Sequence, residues 1–164
     1  MQTENVEKSA FSPILPFRQP SAHARHCCKI RTMPAHYIID KERRLILTTG
    51  EGVLTFPEIK SHQNRLIADP DFDPTFNQFI DVTTVEKLDL SFEQAKTLAR
   101  QAVLSRASRR AVVANEKSVY GMFRLMQTYH EGIKSASHVA IFYDRAEALT
   151  WLASKTVLGR SDPY

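Results

Sequence analysis

Glycine is scarce in this chain. Its five residues, Gly50, Gly52, Gly121, Gly132 and Gly159, are scattered, whereas a loop that cradles phosphate needs several glycines in one tight turn. Nucleotide chemistry is therefore not expected. The two cysteines, Cys27 and Cys28, are adjacent and cannot staple distant segments, so no disulfide framework supports the fold, and a reducing compartment fits. The run His23, His26, Cys27, Cys28 matches no zinc spacing, and no second ligand cluster follows it. No segment approaches the roughly 20 apolar residues of a membrane span. The stretch from Phe11 to Phe17 is interrupted by Pro13 and Pro16, which spoils a signal-peptide core. The expected location is the cytoplasm. A G-x-S-x-G elbow, an H-E-x-x-H helix and a C-x-x-C pair are all missing as well. The sequence thus predicts no catalytic residue, no metal, no cofactor and no enzymatic activity.

What is present is the composition of a folding domain. The 164 residues are 43% hydrophobic and 24% charged, close to soluble globular averages, and the length suits one domain rather than two. The pI of about 9.2 invites a nucleic-acid reading, but the charge is unevenly placed. Residues 1–32 carry Lys8, Arg18, Arg25, Lys29 and Arg31 against Glu4 and Glu7, a net +3, which leaves only +1 of the total +4 for the rest. The cluster Arg106, Arg109, Arg110 is the one basic patch beyond the leader, and it reads as a solvated helix end and strand start. No nucleic-acid partner is expected.

Residues 1–32, with Pro13, Pro16 and Pro20 among Ser, Gln, His and Arg, show neither a period of 2 nor one of 3.6 and are expected to be a disordered leader. Met33 directly precedes the first strand-like run and is a candidate translation start, alternative to Met1. From His36 the pattern is regular. His36 to Asp40 and Arg44 to Thr49 read as a β-hairpin around Lys41, Glu42 and Arg43. Thr55-Phe56-Pro57-Glu58 is a capping box with proline in the first turn, opening a helix through Ile59, Leu66 and Ile67. Asp69 to Pro74 ends it as a turn, its three aspartates lacking the glycine and glutamate of a calcium loop. Phe76 to Val82 reads as a strand, and Ser91 to Gln94 as a second capping box opening a helix through Ala95, Leu98, Ala99 and Ala102. Ala111 to Ala114 and Val139 to Tyr143 read as buried strands, each followed by a helix, from about Ser118 to His130 and from Asp144 to near Ser154. The order ββαβαβαβα predicts a single α/β layered domain over 33–155, with a mixed, mainly parallel sheet packed by helices. Residues 156–164 are left as a short tail.

The segment Phe79-Ile80-Asp81-Val82-Thr83-Thr84-Val85-Glu86-Lys87-Leu88-Asp89-Leu90-Ser91, in this layout, resembles the SpoIIAA-like branch of the STAS domains. Gly50-Glu51-Gly52-Val53-Leu54-Thr55, Asp69 to Pro74, Tyr120-Gly121-Met122 and Asp144 to Leu152 are similar to that branch too. The resemblance implies a regulatory or interaction domain that binds a protein partner of kinase or anti-sigma-factor type. In such regulators a serine opening the helix after the third strand is phosphorylated. Here the matching stretch, Asp89-Leu90-Ser91-Phe92, keeps an Asp and a Ser but lacks the D-S-S-G pattern. Ser91, with Thr83, Thr84, Asp81 and Asp89, is thus the candidate partner or phospho-switch group. A phosphate there would add about −1.5 to −2 charges at a helix N-terminus, while an ordinary N-cap explains Ser91 equally.

Two further readings stand beside this one. Asp81, at the expected carboxyl end of a strand, invites a phosphoacceptor role, but Asp40 has no paired acid to hold magnesium and Asp144 stands where a lysine is needed. With Thr83, Thr84, Asn115 and Asp144 it forms a candidate polar rim. Alternatively, as the resemblance of related α/β layers to Sec14-like domains implies, the domain carries or senses a small apolar ligand or lipid between helices and sheet, which Met122, Phe123, Met126 and Trp151 would line. Core packing explains these four side chains equally well. His36, His62, His130 and His138 lie on separate elements, and each reads as a satisfied structural histidine.

Overall fold

Polar turns and capping boxes cut this chain where its apolar runs stop. The computed structural model describes residues 34–101, 103–132 and 137–154; the leader and the tail fall outside them, as does the histidine and cysteine run at 23–28. Strand β1, Ala35–Asp40, turns into β2, Leu45–Thr55, through a bend closed by Asp40 Oδ1, which accepts from Arg43 N at 2.9 Å. Helix α1, Phe56–Ala68, starts at the first capping box, where Glu58 Oε2 accepts from Thr55 N and Oγ1 at 2.9 and 2.7 Å. It stops at Asp69, held extended ahead of Pro70. The aspartates after it close turns: Asp69 Oδ1 accepts from Asp71 N, and Asp73 Oδ1 from Thr75 N and Oγ1. Strand β3, Asn77–Asp89, leads to α2, Phe92–Arg100, whose second capping box is reciprocal, Ser91 N to Gln94 Oε1 at 2.8 Å and Gln94 N to Ser91 Oγ at 3.2 Å. Then follow β4, Arg109–Val113, α3, Lys117–Glu131, β5, His138–Phe142, and α4, Arg145–Ala153.

The strands form one sheet in the order β1-β2-β3-β4-β5. β1 runs antiparallel to β2, and every other neighbouring pair is parallel, so each parallel connection carries a helix, as the chain order requires. Alternation along the strands sorts the core into two faces. Phe79, Ala111 and Val113 pack with Ala148 and Leu152 of α4. The intervening residues Val82 and Val112 pack on the opposite face with Val119 of α3 and Ile59 of α1. Ile46, on that same face, meets Leu66 of α1 and Phe76.

The sheet corrects three expectations. β2 and β3 run past the expected ends at Thr49 and Val82, pairing Glu51 with Thr84 and continuing to Thr55 with Asp89. The stretch from Thr83 to Asp89 is therefore strand, not loop. Two register shifts, between Thr49 and Glu51 and between Gly52 and Val53, break the period of 2, so Val82, Val85 and Leu88 are buried at intervals of three. The extra residues lie in β3, and Gly52 of β2, beside the second shift, has a φ of +63°, which a side chain would resist. Asp81 consequently lies inside β3 rather than at its end, at the last pairing with β4, opposite Val113. Finally, α2 ends at Arg100, short of Ala102, which lies outside the described residues.

Candidate binding cavity

Arg109 and Arg110 are consecutive strand residues and so point to opposite faces of the sheet. Arg109 turns to α4: its Nη1 donates to the carbonyls of Trp151 and Ser154, and its guanidinium lies 4.8 Å from the centre of the Trp151 ring. It satisfies the last carbonyls of a helix, whose negative end favours a cation. Arg110 turns the other way, into a cavity of about 110 Å³ between the sheet and helices α1, α2 and α3. Only Arg106 of the three is exposed, so the expectation of a solvated cluster is corrected by strand alternation.

The cavity wall is mostly apolar. Ile80, Val112 and Val139 form its sheet side, and Leu98, Phe123 and Met126 come from the helices. Among these stand polar groups, of which Arg110 is the sole formally charged one among the described lining residues. Its Nε is buried without a partner. Burial lowers its pKa to about 10, which still leaves it charged at neutral pH. Its register partner across the sheet is Gln78, 4% exposed. The Gln78 amide donates to Thr48 Oγ1 at 2.9 Å, while its Oε1 is buried with no partner.

Two histidines complete the wall. His62 of α1 is 6% exposed, and neither ring nitrogen has a partner at hydrogen-bonding geometry. Burial and the neighbouring Arg65 guanidinium lower its pKa to about 4, against a weaker opposite pull from the nearby Ala35 carbonyl. The carbonyl itself accepts from Arg65 Nη2 at 3.3 Å. His130 of α3 bonds the Ala99 carbonyl through Nδ1 at 2.8 Å and Ser137 Oγ through Nε2 at 3.3 Å. The carbonyl can only accept, so Nδ1 carries the proton. Burial lowers the His130 pKa, with Arg110 adding to the shift and the Ala99 bond opposing it. Both rings are therefore neutral at pH 7.

Of the expected ligand-lining residues, Phe123 and Met126 line the cavity. Met122 packs into the same core without reaching it, and Trp151 lies on the opposite face of the sheet with Phe142. The expected polar rim divides. Asp81 Oδ1 accepts from Thr83 N and Oγ1 at 3.1 and 2.7 Å, and its Oδ2 accepts from Arg145 Nη1 at 2.7 Å. Thr84 Oγ1 donates to the Gly50 carbonyl. Asp144 caps α4 by accepting from Glu147 N, and Asn115 is exposed. Asp89 pairs with Lys87 at 2.9 Å in the open. Ser91 is an exposed N-cap. The histidine expectation holds for His130 and is corrected for His62, whose ring is buried unpaired. Sequence reasoning missed Arg110, Gln78 and the two histidines as one group; the apolar strand neighbours Ala111 and Val112 are the local signal that an adjacent charge is drawn inward.

No family model matches the sequence, and no curated protein is similar to it. Two of the solved structures that are similar to it are these. One is an anti-sigma factor antagonist from Mycobacterium paratuberculosis, 14% identical over 75% of this chain and 97% of that one, with a TM-score of 0.50. The other is a DUF3478-family protein with a SpoIIAA-like fold from Shewanella loihica PV-4, 17% identical over 72% of this chain and 93% of that one, with a TM-score of 0.48. At this coverage the chain, one mixed five-stranded sheet with four helices in alternating order, shares the α/β fold of the antagonist.

Proposed function

We propose that this is a non-enzymatic domain that binds a small ligand in the cavity between the sheet and helices α1, α2 and α3. The observation that carries the reading is the convergence of unpaired buried polar atoms, on Arg110, Gln78, His62 and Gln63, in a mostly apolar cavity. Buried polar groups are nearly always hydrogen-bonded, because each one left unpaired loses its hydration for nothing. A wall that keeps several suits a partner supplied from outside. The non-enzymatic part is supported by the use made of the other candidates. Asp81 is committed to Thr83 and Arg145, and Ser91 to its cap.

Methyl-detected NMR during titration with a panel of small neutral and anionic amphiphiles tests the reading. Saturable shifts at Met126, Leu98 and Val112 are expected, and Met126→Trp, which fills the cavity, should abolish them. A panel that moves none of these methyls would contradict it.

A second reading, a regulatory domain acting through a protein partner in the cytoplasm, is favoured by the fold shared with an anti-sigma factor antagonist and by the exposed α2 N-terminus. There Ser91 stands beside Phe92, 50% exposed. The two readings join mechanically. Leu98 and Ala99 of α2 line the cavity, so a ligand would bear on the helix whose first turn carries Ser91. No described helix is long and apolar enough to cross a membrane.

A further inference from the structure

Arg110 is the element of the cavity that packing does not explain. It sits among hydrophobic residues, with no hydrogen bond or ion pair to any described residue, and no carboxylate lines the cavity among the described residues. Arg110 is half-buried, and its Nε is shut off from water with no partner; desolvating a guanidinium without an anion is destabilising, and an anion delivered to it offsets that cost. Resting on the ligand-binding reading above, we infer that the cavity takes a small monocarboxylate with a compact apolar body, its carboxylate on the Arg110 guanidinium and its body against Phe123 and Met126.

Three observations select this class. The first is charge: Arg110 is one fixed positive charge, and the cavity's two histidines are neutral at pH 7. A single carboxylate balances it, whereas a phosphate monoester, carrying about −1.5 to −2 charges, would leave negative charge buried. The second is geometry. A guanidinium donates in a planar fork that matches a carboxylate. Its sheet neighbour Gln78 has an amide that already donates to Thr48, so of this register pair Arg110 is the one that offers donors to an acid. The third is size. A cavity of about 150 Å³ holds benzene, so about 110 Å³ admits a short or branched chain rather than a lipid tail. That narrows the expected ligand from lipid to short-chain acid.

The test is an NMR and calorimetric titration of the full chain at pH 7.5 with isovalerate and with isovaleramide, its neutral isostere. Isovalerate is expected to bind at least about tenfold more tightly than the amide, the discrimination of a charge-assisted contact. Arg110→Met should reduce isovalerate binding to the level of the amide, and Arg110→Lys should restore part of it, since the charge returns without the planar fork. The Met variant should also fold, with a melting temperature at least equal to that of the parent, because it removes an unpaired buried charge in favour of an apolar chain of similar length. If the amide binds as well as the acid, or Arg110→Met leaves isovalerate binding unchanged, the anion inference falls while the ligand-binding reading stands. If neither probe binds, both fall. An Arg110→Met chain that does not fold would assign the guanidinium to the scaffold and overturn the inference.

Discussion

Gln78 on β3 and Arg110 on β4 are register partners, and each carries a buried polar atom, Gln78 Oε1 and Arg110 Nε, that no described residue hydrogen-bonds. Both side chains line one cavity, so the sheet carries a polar row where neighbouring positions hold Ile80 and Val112. Gln78→Met is expected to be nearly neutral for so buried a position. It loses one hydrogen bond, to Thr48, of about 0.5–1.5 kcal/mol, and removes an unpaired acceptor whose burial costs about 1–3 kcal/mol. Urea unfolding should place the variant within about 1 kcal/mol of the parent. A loss of several kcal/mol would show that Oε1 is paired in solution.

His62 makes stability depend on pH. Its folded-state pKa of about 4 lies below the ordinary 6.5, so the unfolded chain binds the extra proton between those values. Stability is then full above about pH 6.5 and falls as the pH drops toward 4, by up to about 3 kcal/mol from this ring. The parent and the variant share every other ionisable group, so the informative quantity is a difference. His62→Phe should flatten the pH 6.5 to 4 slope relative to the parent; parallel slopes would show that the ring is protonated or hydrogen-bonded in the folded state.

Arg109 should matter for α4 and not for the cavity. Arg109→Ala removes the donor to the Trp151 and Ser154 carbonyls and is expected to cost about 1–3 kcal/mol. Ligand-induced shifts at Met126 should be unchanged. Loss of those shifts with stability intact would contradict the division of the two arginines between the two faces.

At the start of α2, Ser91→Ala removes the oxygen that accepts from Gln94 N and should cost about 0.5–2 kcal/mol. Ser91→Asp keeps a capping oxygen and adds a negative charge where the helix dipole favours it, so its melting temperature should match the parent's. If α2 carries the partner surface, Ser91→Asp changes capture of that partner in affinity purification. Identical capture by both chains would leave Ser91 as a cap alone.

The element order was legible because local chemistry marks it. Thr55 with Glu58 and Ser91 with Gln94 are caps in the structure as in the sequence, and Pro70 ends α1 where its ring demands. The outer halves of β2 and β3 were not legible, since the shifts around Gly52 replace the strand's alternation with a spacing that looks like neither strand nor helix. The cavity was legible only in part. Phe123 and Met126 share one helix, and their spacing put them on one face. Gln78, Arg110 and His62 come from separate elements, and only the register of β3 on β4 and the packing of α1 bring them together. Arg110 was hidden by Arg109: side by side in sequence they read as surface charge, and pleating alone separates them.

The most direct test of the account is to locate the ligand. Intermolecular NOEs measured on the full chain with isovalerate at saturation should connect the ligand methyls to the Met126 methyl and the Phe123 ring, with chemical-shift change at the Arg110 guanidinium. NOEs confined to surface positions, or none at saturating concentration, would contradict the claim that this cavity is the site of function.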